Sequence, residues 1–254
     1  MKKTHIKFFT EVGAQKPNSI KNKETPCPFC RIDELEEVLD TRGSILLVKN
    51  KYTVLDGAYQ TVLIETDECE GELSEYSKEH LYDVLRFGLD HWERMLNSGE
   101  YRSVMFFKNH GPLSGGTIRH PHMQIIGLNE VDCMHDFSVN QFEGLSILDK
   151  DGVRFTVSNE PRVGFYELNV IWEKDADLTL LADCIQTGAH FLLNHFHRNC
   201  TSYNLFFYKN NETSYCKIMP RFVTSPLFMG YGVQQVANNI EGVAQKIKDI
   251  YFTA

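Results

Sequence analysis

A helix followed by two strands occurs twice in this 254-residue chain, about one hundred residues apart, and that recurrence limits the fold more than any other feature. In the first copy, Leu81, Val84, Leu85, Leu89, Trp92 and Leu96 recur at helical spacing within residues 76–97. Ser77 and Glu79 suit the start of such a helix. Strands are predicted from Ser103 to Lys108 and from His122 to Leu128, joined by a loop holding Gly111, Pro112, Gly115 and Gly116. In the second copy, Leu180, Leu181, Cys184, Ala189, Leu192 and Leu193 give residues 177–198 an apolar helical face, and strands Tyr203 to Tyr208 and Tyr215 to Phe222 follow. Two earlier runs, 44–50 and 60–66, read as strands because they are short, β-branched and bounded by turn formers. A last helix is expected over about 232–251, and residues 1 to about 26 read as an extended polar arm. The pattern predicts an α+β fold made of a duplicated unit, mostly antiparallel sheet with packed helices, with a first half over 1–150 and a second over 151–254.

The formal net charge of -8 argues against a nucleic-acid or membrane-surface binder, since phosphate backbones and headgroups demand clustered Lys and Arg. A small anionic substrate needs only a local set of donors. No signal-like apolar stretch follows the charged first residues, and no run reaches the ~20 apolar residues of a membrane span. A cytoplasmic protein is expected. Of seven cysteines only Cys27 and Cys30 are closely spaced. In a reducing compartment such a pair reads as metal-binding or redox chemistry. A polar arm precedes it, whereas the thioredoxin-like motif follows a strand.

The run His120-Pro121-His122-Met123-Gln124 carries the chemistry. On a strand, side chains alternate, so His120, His122 and Gln124 share one face. Two imidazoles so placed suit half a metal site, a solvated surface or a nucleophile. A histidine that attacks phosphorus keeps one nitrogen unprotonated while the other donates to a fixed acceptor. Gln124 offers a neutral donor for a non-bridging oxygen, and the glycine-rich loop 111–117 allows backbone amides to approach phosphate. The remaining histidines, among them His80, His91, His195 and His197, are expected on helices as surface or packing residues, and the aromatic strands 103–108 and 203–208 as core.

Asn109-His110-Gly111, Gly116-Thr117 and His120-Pro121-His122-Met123-Gln124 together resemble the active-site stretch of galactose-1-phosphate uridylyltransferases, members of the histidine-triad superfamily whose relatives include sugar-nucleotide and dinucleotide phosphorylases. The resemblance implies duplicated histidine-triad-like units. It implies that His122 is the nucleophile with Gln124 beside it, and that Asn50, Asn109, Gly116 and Thr117 contact substrate. It further implies a structural Zn²⁺ held by Cys27, Cys30, Cys69 and His120, with Cys69 standing where relatives carry His. Four protein ligands leave no open position, so the ion would be structural.

The implied partners are a nucleotide or nucleotide sugar and a phosphate-bearing acceptor, with no nucleic acid or membrane, and a homodimer as in the enzymes it resembles. The implied activity is nucleotidyl transfer or phosphorolysis through a nucleotidyl-histidine. The alternatives are a nucleotide hydrolase on the same scaffold and a non-catalytic zinc-stabilised nucleotide-binding protein. Histidine-triad hydrolases carry a third His where Gln124 stands, which favours transfer. The chain departs from the family pattern at Lys51, where an acid follows Asn50. It departs again around Tyr208-Lys209 and Lys217-Ile218-Met219, where relatives hold a second metal, and at Gly232, which follows Phe228-Met229-Gly230-Tyr231 in place of Glu.

Overall fold

The computed structural model of the protein describes residues 4–35 and 37–253. Its described residues form two compact units, with the boundary between Asp136 and Phe137. The division expected at 150/151 falls in the turn of a hairpin; the strands on either side of that turn pair with each other and stay in one unit.

The first unit begins with a short helix, α1 (Thr10–Ala14), within the segment read from sequence as an extended arm. Strands β1 (Val38–Arg42), β2 (Ile45–Lys49) and β3 (Ala58–Ile64) follow, then helix α2 (Lys78–Asn97), β4 (Ser103–His110) and β5 (His122–Leu128). All pairings are antiparallel, and the spatial order is β1-β2-β3-β5-β4. Helix α2 starts where expected. Ser77 accepts from the amide of His80, Glu79 lies in the first turn, and Leu81, Val84, Leu85, Gly88 and Trp92 are buried along one stripe. These residues cover one face of the sheet, with the Trp92 indole donating to the Val104 carbonyl at 3.2 Å. The other face carries Leu46, Val48, Val62 and Ile64, against which Phe29 and Leu35 pack.

The second unit contains β6 (Gly144–Lys150), β7 (Val153–Ser158), β8 (Leu168–Glu173), α3 (Leu178–Phe191), β9 (Tyr203–Asn210), β10 (Thr213–Pro220), α4 (Pro226–Tyr231) and α5 (Ile240–Tyr251). Its strands lie in the order β6-β7-β8-β10-β9, the same topology as the first unit. Duplication is therefore a property of the fold as well as of the sequence pattern. A matched pair of glycines marks it. A Cβ at Gly88 of α2 would lie 2.7 Å from Phe106 and 3.2 Å from Leu63, and one at Gly188 of α3 would collide with Ile218. Each helix reaches its sheet through a missing side chain.

Several sequence expectations differ from the structure. Strands β1, β6, β7 and β8 have no counterpart in the sequence reading. The helix expected over 177–198 ends its α-helical part at Phe191, continues as one wider turn to Phe196, and leaves His197 extended. The helix expected from 232 begins at Ile240. Gly232 adopts φ 66° and closes α4, so the chain cannot run helically through it. Among the described residues no helix is long and apolar enough to cross a membrane.

The glycine contact in α2 is directly testable. Gly88→Val is expected to destabilise the protein by about 1–3 kcal/mol through overpacking against Phe106 and Leu63, read as a lower urea midpoint with an unchanged slope.

Candidate functional site

The site grows from the start of β5. His122 opposes Ile64 at the end of β3, and Gln124 opposes Val62. The amide of Glu65 donates to the Pro121 carbonyl at 3.1 Å, so the pairing continues through the His-Pro-His run. Alternation then sets the side chains. His120 is fully buried, His122 is buried, and Gln124 is half-buried on the same side.

His120 points at three thiols. Its Nδ1 lies 3.6 Å from Cys27 Sγ and 3.5 Å from Cys30 Sγ, and the ligand atoms of Cys27, Cys30, Cys69 and His120 all lie within 4.8 Å of one another. Cys27 and Cys30 bracket a 3₁₀ turn over Pro28–Cys30; Cys69 comes from the loop after β3. A tetrahedral ion with bonds of about 2.3 Å to sulfur and about 2.0 Å to nitrogen separates such atoms by about 3.6 Å. The donor set fits a thiophilic divalent ion without rearrangement of His120. The imidazole is also in the right tautomer: its Nε2–H donates to the Thr66 carbonyl at 2.7 Å, leaving Nδ1 with its lone pair toward the sulfurs. Without a cation, burial and the adjacent Cys30 and Cys27 push the Cys69 thiol up to about 12. Added positive charge would favour the Cys69 thiolate.

His122 has the opposite tautomer. Its Nδ1 lies 2.8 Å from the His120 carbonyl, which can only accept, so Nδ1 carries the proton and Nε2 the lone pair. Burial first, then the Lys108 and Lys16 charges, lower the affinity of the ring for a second proton to a pKa of about 4; the His120 carbonyl opposes this. The ring is neutral at neutral pH, and the edge of Phe29 props it at a centroid distance of 5.3 Å.

In front of His122 lies a cavity of about 620 Å³ lined entirely by the first unit. Asn50, Asn109, Gly116, Thr117, His122 and Gln124 all line it, so six of the residues singled out in the sequence converge on one space. Their roles differ in detail. The side-chain oxygen of Asn50 accepts from the Tyr52 amide at 2.9 Å, shaping the loop. The Gly116 amide is used inside the loop, donating to Ser114 Oγ at 3.3 Å. The amides of Gly115 and Thr117 have no acceptor among the described residues and stand ready for an anion. Gly115 needs its φ of 91°, and a Cβ on Gly116 would crowd Asn109 at 3.2 Å.

Two groups were missed in the sequence. Lys16, in the arm, lines the same cavity. It is half-buried, desolvation lowers its pKa, and no carboxylate among the described residues pairs with it. The arm is held there by the Ile20 amide donating to the Thr117 carbonyl at 3.2 Å and by the Arg119 amide donating to Ser19 Oγ at 2.9 Å. The second group is a buried ion pair: Lys108 of β4 meets Glu65, which also accepts from the Tyr76 hydroxyl at 3.1 Å. A lone lysine inside an apolar strand was the available signal for Lys108. Nothing local marks Lys16 among the other lysines of the arm.

The fold is the one found in galactose-1-phosphate uridylyltransferase-like proteins. The chain belongs to the DUF4931 family. The family's N-terminal domain, described as a domain of unknown function, matches residues 8–131, and its C-terminal domain matches residues 134–252. The chain is 40% identical to a DUF4931 family protein from Bacillus cereus ATCC 10987, over 85% of this chain and 100% of that one, with a TM-score of 0.78. It is similar in fold to a GALT-like protein from Arabidopsis thaliana, at 17% identity over 94% of this chain and 95% of that one, TM-score 0.71. An ADP-glucose phosphorylase from Arabidopsis thaliana, solved with bound ADP-glucose, matches at 14% identity over 95% and 94% of the two chains, TM-score 0.71. No curated protein matches.

The four-ligand cluster makes a sharp prediction. Metal analysis of the purified protein is expected to find one divalent ion per chain, lost in Cys69→Ala but retained in Cys69→His, which restores a nitrogen donor. Cys69→Ala is also expected to melt at lower temperature than Cys69→His, since ion binding here contributes folding free energy.

Proposed function

We propose that the protein is a nucleotidyltransferase or phosphorylase in which His122 becomes covalently nucleotidylated, with a structural Zn²⁺ at Cys27, Cys30, Cys69 and His120. The observation that carries this reading is the tautomer of His122: a neutral ring, fixed through Nδ1 to a backbone carbonyl, at the wall of a cavity that also holds Lys16 and two unengaged loop amides. The substrate is a nucleoside diphosphate sugar or a dinucleotide, the kind of compound bound in the ADP-glucose phosphorylase of similar fold.

In the first step Nε2 of His122 forms a bond to the α-phosphorus while the bond from phosphorus to the bridging oxygen breaks. The departing sugar phosphate or nucleotide takes the electron pair of that bond. Its negative charge is met by the Lys16 ammonium. The amides of Gly115 and Thr117 and the side chain of Gln124 hold the non-bridging oxygens, whose charge spreads in the transition state. As the ring becomes a cationic N-phosphoryl imidazolium, the Nδ1–H bond to the His120 carbonyl strengthens and disperses that charge. In the second step an oxygen of a phosphate-bearing acceptor attacks the same phosphorus, the N–P bond breaks, and the ring recovers its lone pair. Zn²⁺, when bound, supplies no step. It ties the Cys27–Cys30 turn to His120 and thereby fixes the carbonyl on which the nucleophile leans. Asn50 and Asn109 position the nucleoside and phosphates, and Lys51 in place of an acid after Asn50 alters the nucleoside end of the pocket.

The test is a covalent adduct. Incubation with a panel of nucleoside diphosphate sugars and dinucleotides, followed by intact mass measurement at alkaline pH, is expected to show one nucleoside monophosphate added to His122, discharged by inorganic phosphate or a sugar phosphate. His122→Ala is expected to lose the adduct and reduce turnover by about three orders of magnitude or more while its melting temperature stays near wild type. Absence of an adduct across the panel, with wild-type nucleotide binding in His122→Ala, would overturn the reading in favour of a binding protein.

The unpaired ammonium supplies a second prediction: Lys16→Gln is expected to slow adduct formation by about 10- to 100-fold, the loss of one charge-assisted contact, with little effect on stability.

A further inference from the structure

The second unit holds its own cavity, of about 920 Å³, lined entirely by residues from Arg162 onward. It is larger than the space before His122, and nothing in the proposed chemistry uses it. Its walls are rich in rings. Phe196 meets Tyr166 edge-on at 5.2 Å and Phe222 at 6.4 Å, and Phe206 of β9 faces the same space.

Charge at the cavity is one-sided. Arg221, just past the end of β10, is half-buried, and its guanidinium makes a single side-chain contact: Nη1 donates to Asn204 Oδ1 at 2.7 Å. No carboxylate among the described residues pairs with it. The Nε and Nη2 edge, the geometry that grips a carboxylate through two parallel hydrogen bonds, is left available. Lys246 of α5, bonded to the His195 carbonyl and 5.8 Å from the centroid of the Phe191 ring, and Arg162, which donates to Gln141 Oε1 at 3.1 Å, add further positive charge. Glu167 is the single acid among the lining residues, and it does not oppose an incoming anion. It is bonded to the Lys217 ammonium at 2.9 Å and accepts from the amides of Arg162 at 2.7 Å and Val163 at 2.8 Å.

We infer that this cavity is a binding site for an aromatic carboxylate, with Arg221 gripping the anionic head and the rings of Tyr166, Phe196, Phe206 and Phe222 enclosing the apolar body. A half-buried cation whose side chain meets only a neutral amide is costly to retain unless a ligand supplies the opposite charge. Walls of aromatic rings favour a flat aromatic body, which can stack on them or meet them edge-on, over an acyl chain of similar area. A monoanion matches the one free guanidinium edge. This site is independent of the nucleotidyl chemistry, and neither stands or falls with the other.

Titration calorimetry of the full chain with 1-naphthoate, its neutral analogue 1-naphthalenemethanol, and octanoate tests the inference. In the wild-type protein naphthoate is expected to bind at least about tenfold more tightly than either comparison compound, the value of one charge-assisted pair. Arg221→Gln is expected to erase the preference for the acid over the alcohol while leaving alcohol binding within about twofold, and Arg221→Lys to restore part of it. Equal affinity for acid and alcohol in the wild type, tighter binding of octanoate, or no saturable binding at millimolar concentration would each overturn the assignment. The wild-type comparison decides even if Arg221→Gln fails to fold.

Discussion

The hydrogen bond from His122 Nδ1–H to the carbonyl of His120 is the contact on which the site depends, and its own support is unusually deep. A backbone carbonyl two residues back is a good tautomer-setting acceptor only if that backbone cannot turn. Here it cannot. The ring of His120 is pinned at both nitrogens, by the Thr66 carbonyl on one side and by the sulfurs of Cys27 and Cys30 on the other. The intervening Pro121 carbonyl accepts from Glu65 at the end of β3. The cluster of Cys27, Cys30, Cys69 and His120 thus holds the backbone that sets the direction of the His122 lone pair.

The two units share a topology and differ in one connection. In the first unit the connection from β4 to β5 is the eleven-residue loop 111–121, which lines the cavity through Gly115, Gly116, Thr117 and Ile118; in the second, β9 and β10 are joined by the two-residue turn Asn211–Glu212. The sheet face itself is filled: Phe142, Ile171 and Tyr215 pack together with Phe137 and Tyr208 in an aromatic cluster. The first unit keeps the corresponding face open above Val48 and Val62, which line its cavity. One architecture holds a pocket over small and β-branched sheet residues in the first unit, and packs rings over part of the sheet in the second.

Much of the site was legible because it obeys short-range rules. Alternation along a strand puts His120, His122 and Gln124 on one face whatever the rest of the chain does, and two-residue spacing brings Cys27 and Cys30 to one point. Cys69 and the loop residues were reachable only through family resemblance, since their meeting depends on β3 pairing with β5. The missed strands had readable signals: Asp151-Gly152, with φ values of 49° and 77°, is the hairpin turn between β6 and β7, and Leu168–Glu173 is a short apolar run typical of a buried strand. The misplaced last helix has a local cause, since Gly232 ends α4 in a left-handed conformation. Lys16 was illegible for another reason. Its position is set by the Ile20–Thr117 hydrogen bond, a contact across nearly a hundred residues that no window of sequence contains.

Buried ion pairs in both units bear on how such a chain keeps its geometry. Lys108 with Glu65, and Lys217 with Glu167, are each almost wholly removed from water. The desolvation of two charges offsets most of their attraction, so neither pair adds much net stability. Losing one partner is different, because it strands a charge in the interior at a cost of about 3–5 kcal/mol. Such pairs penalise every arrangement in which the strands slip. Lys108 sits opposite Met123, the residue between His122 and Gln124, and Glu65 follows the strand that pairs with them. A shift of one residue between β3, β4 and β5 would turn His122 to the other face of the sheet. It would also separate Lys108 from Glu65. The ion pair therefore acts as a register lock for β5, an electrostatic counterpart to the thiol and imidazole cluster that holds His120 just before it.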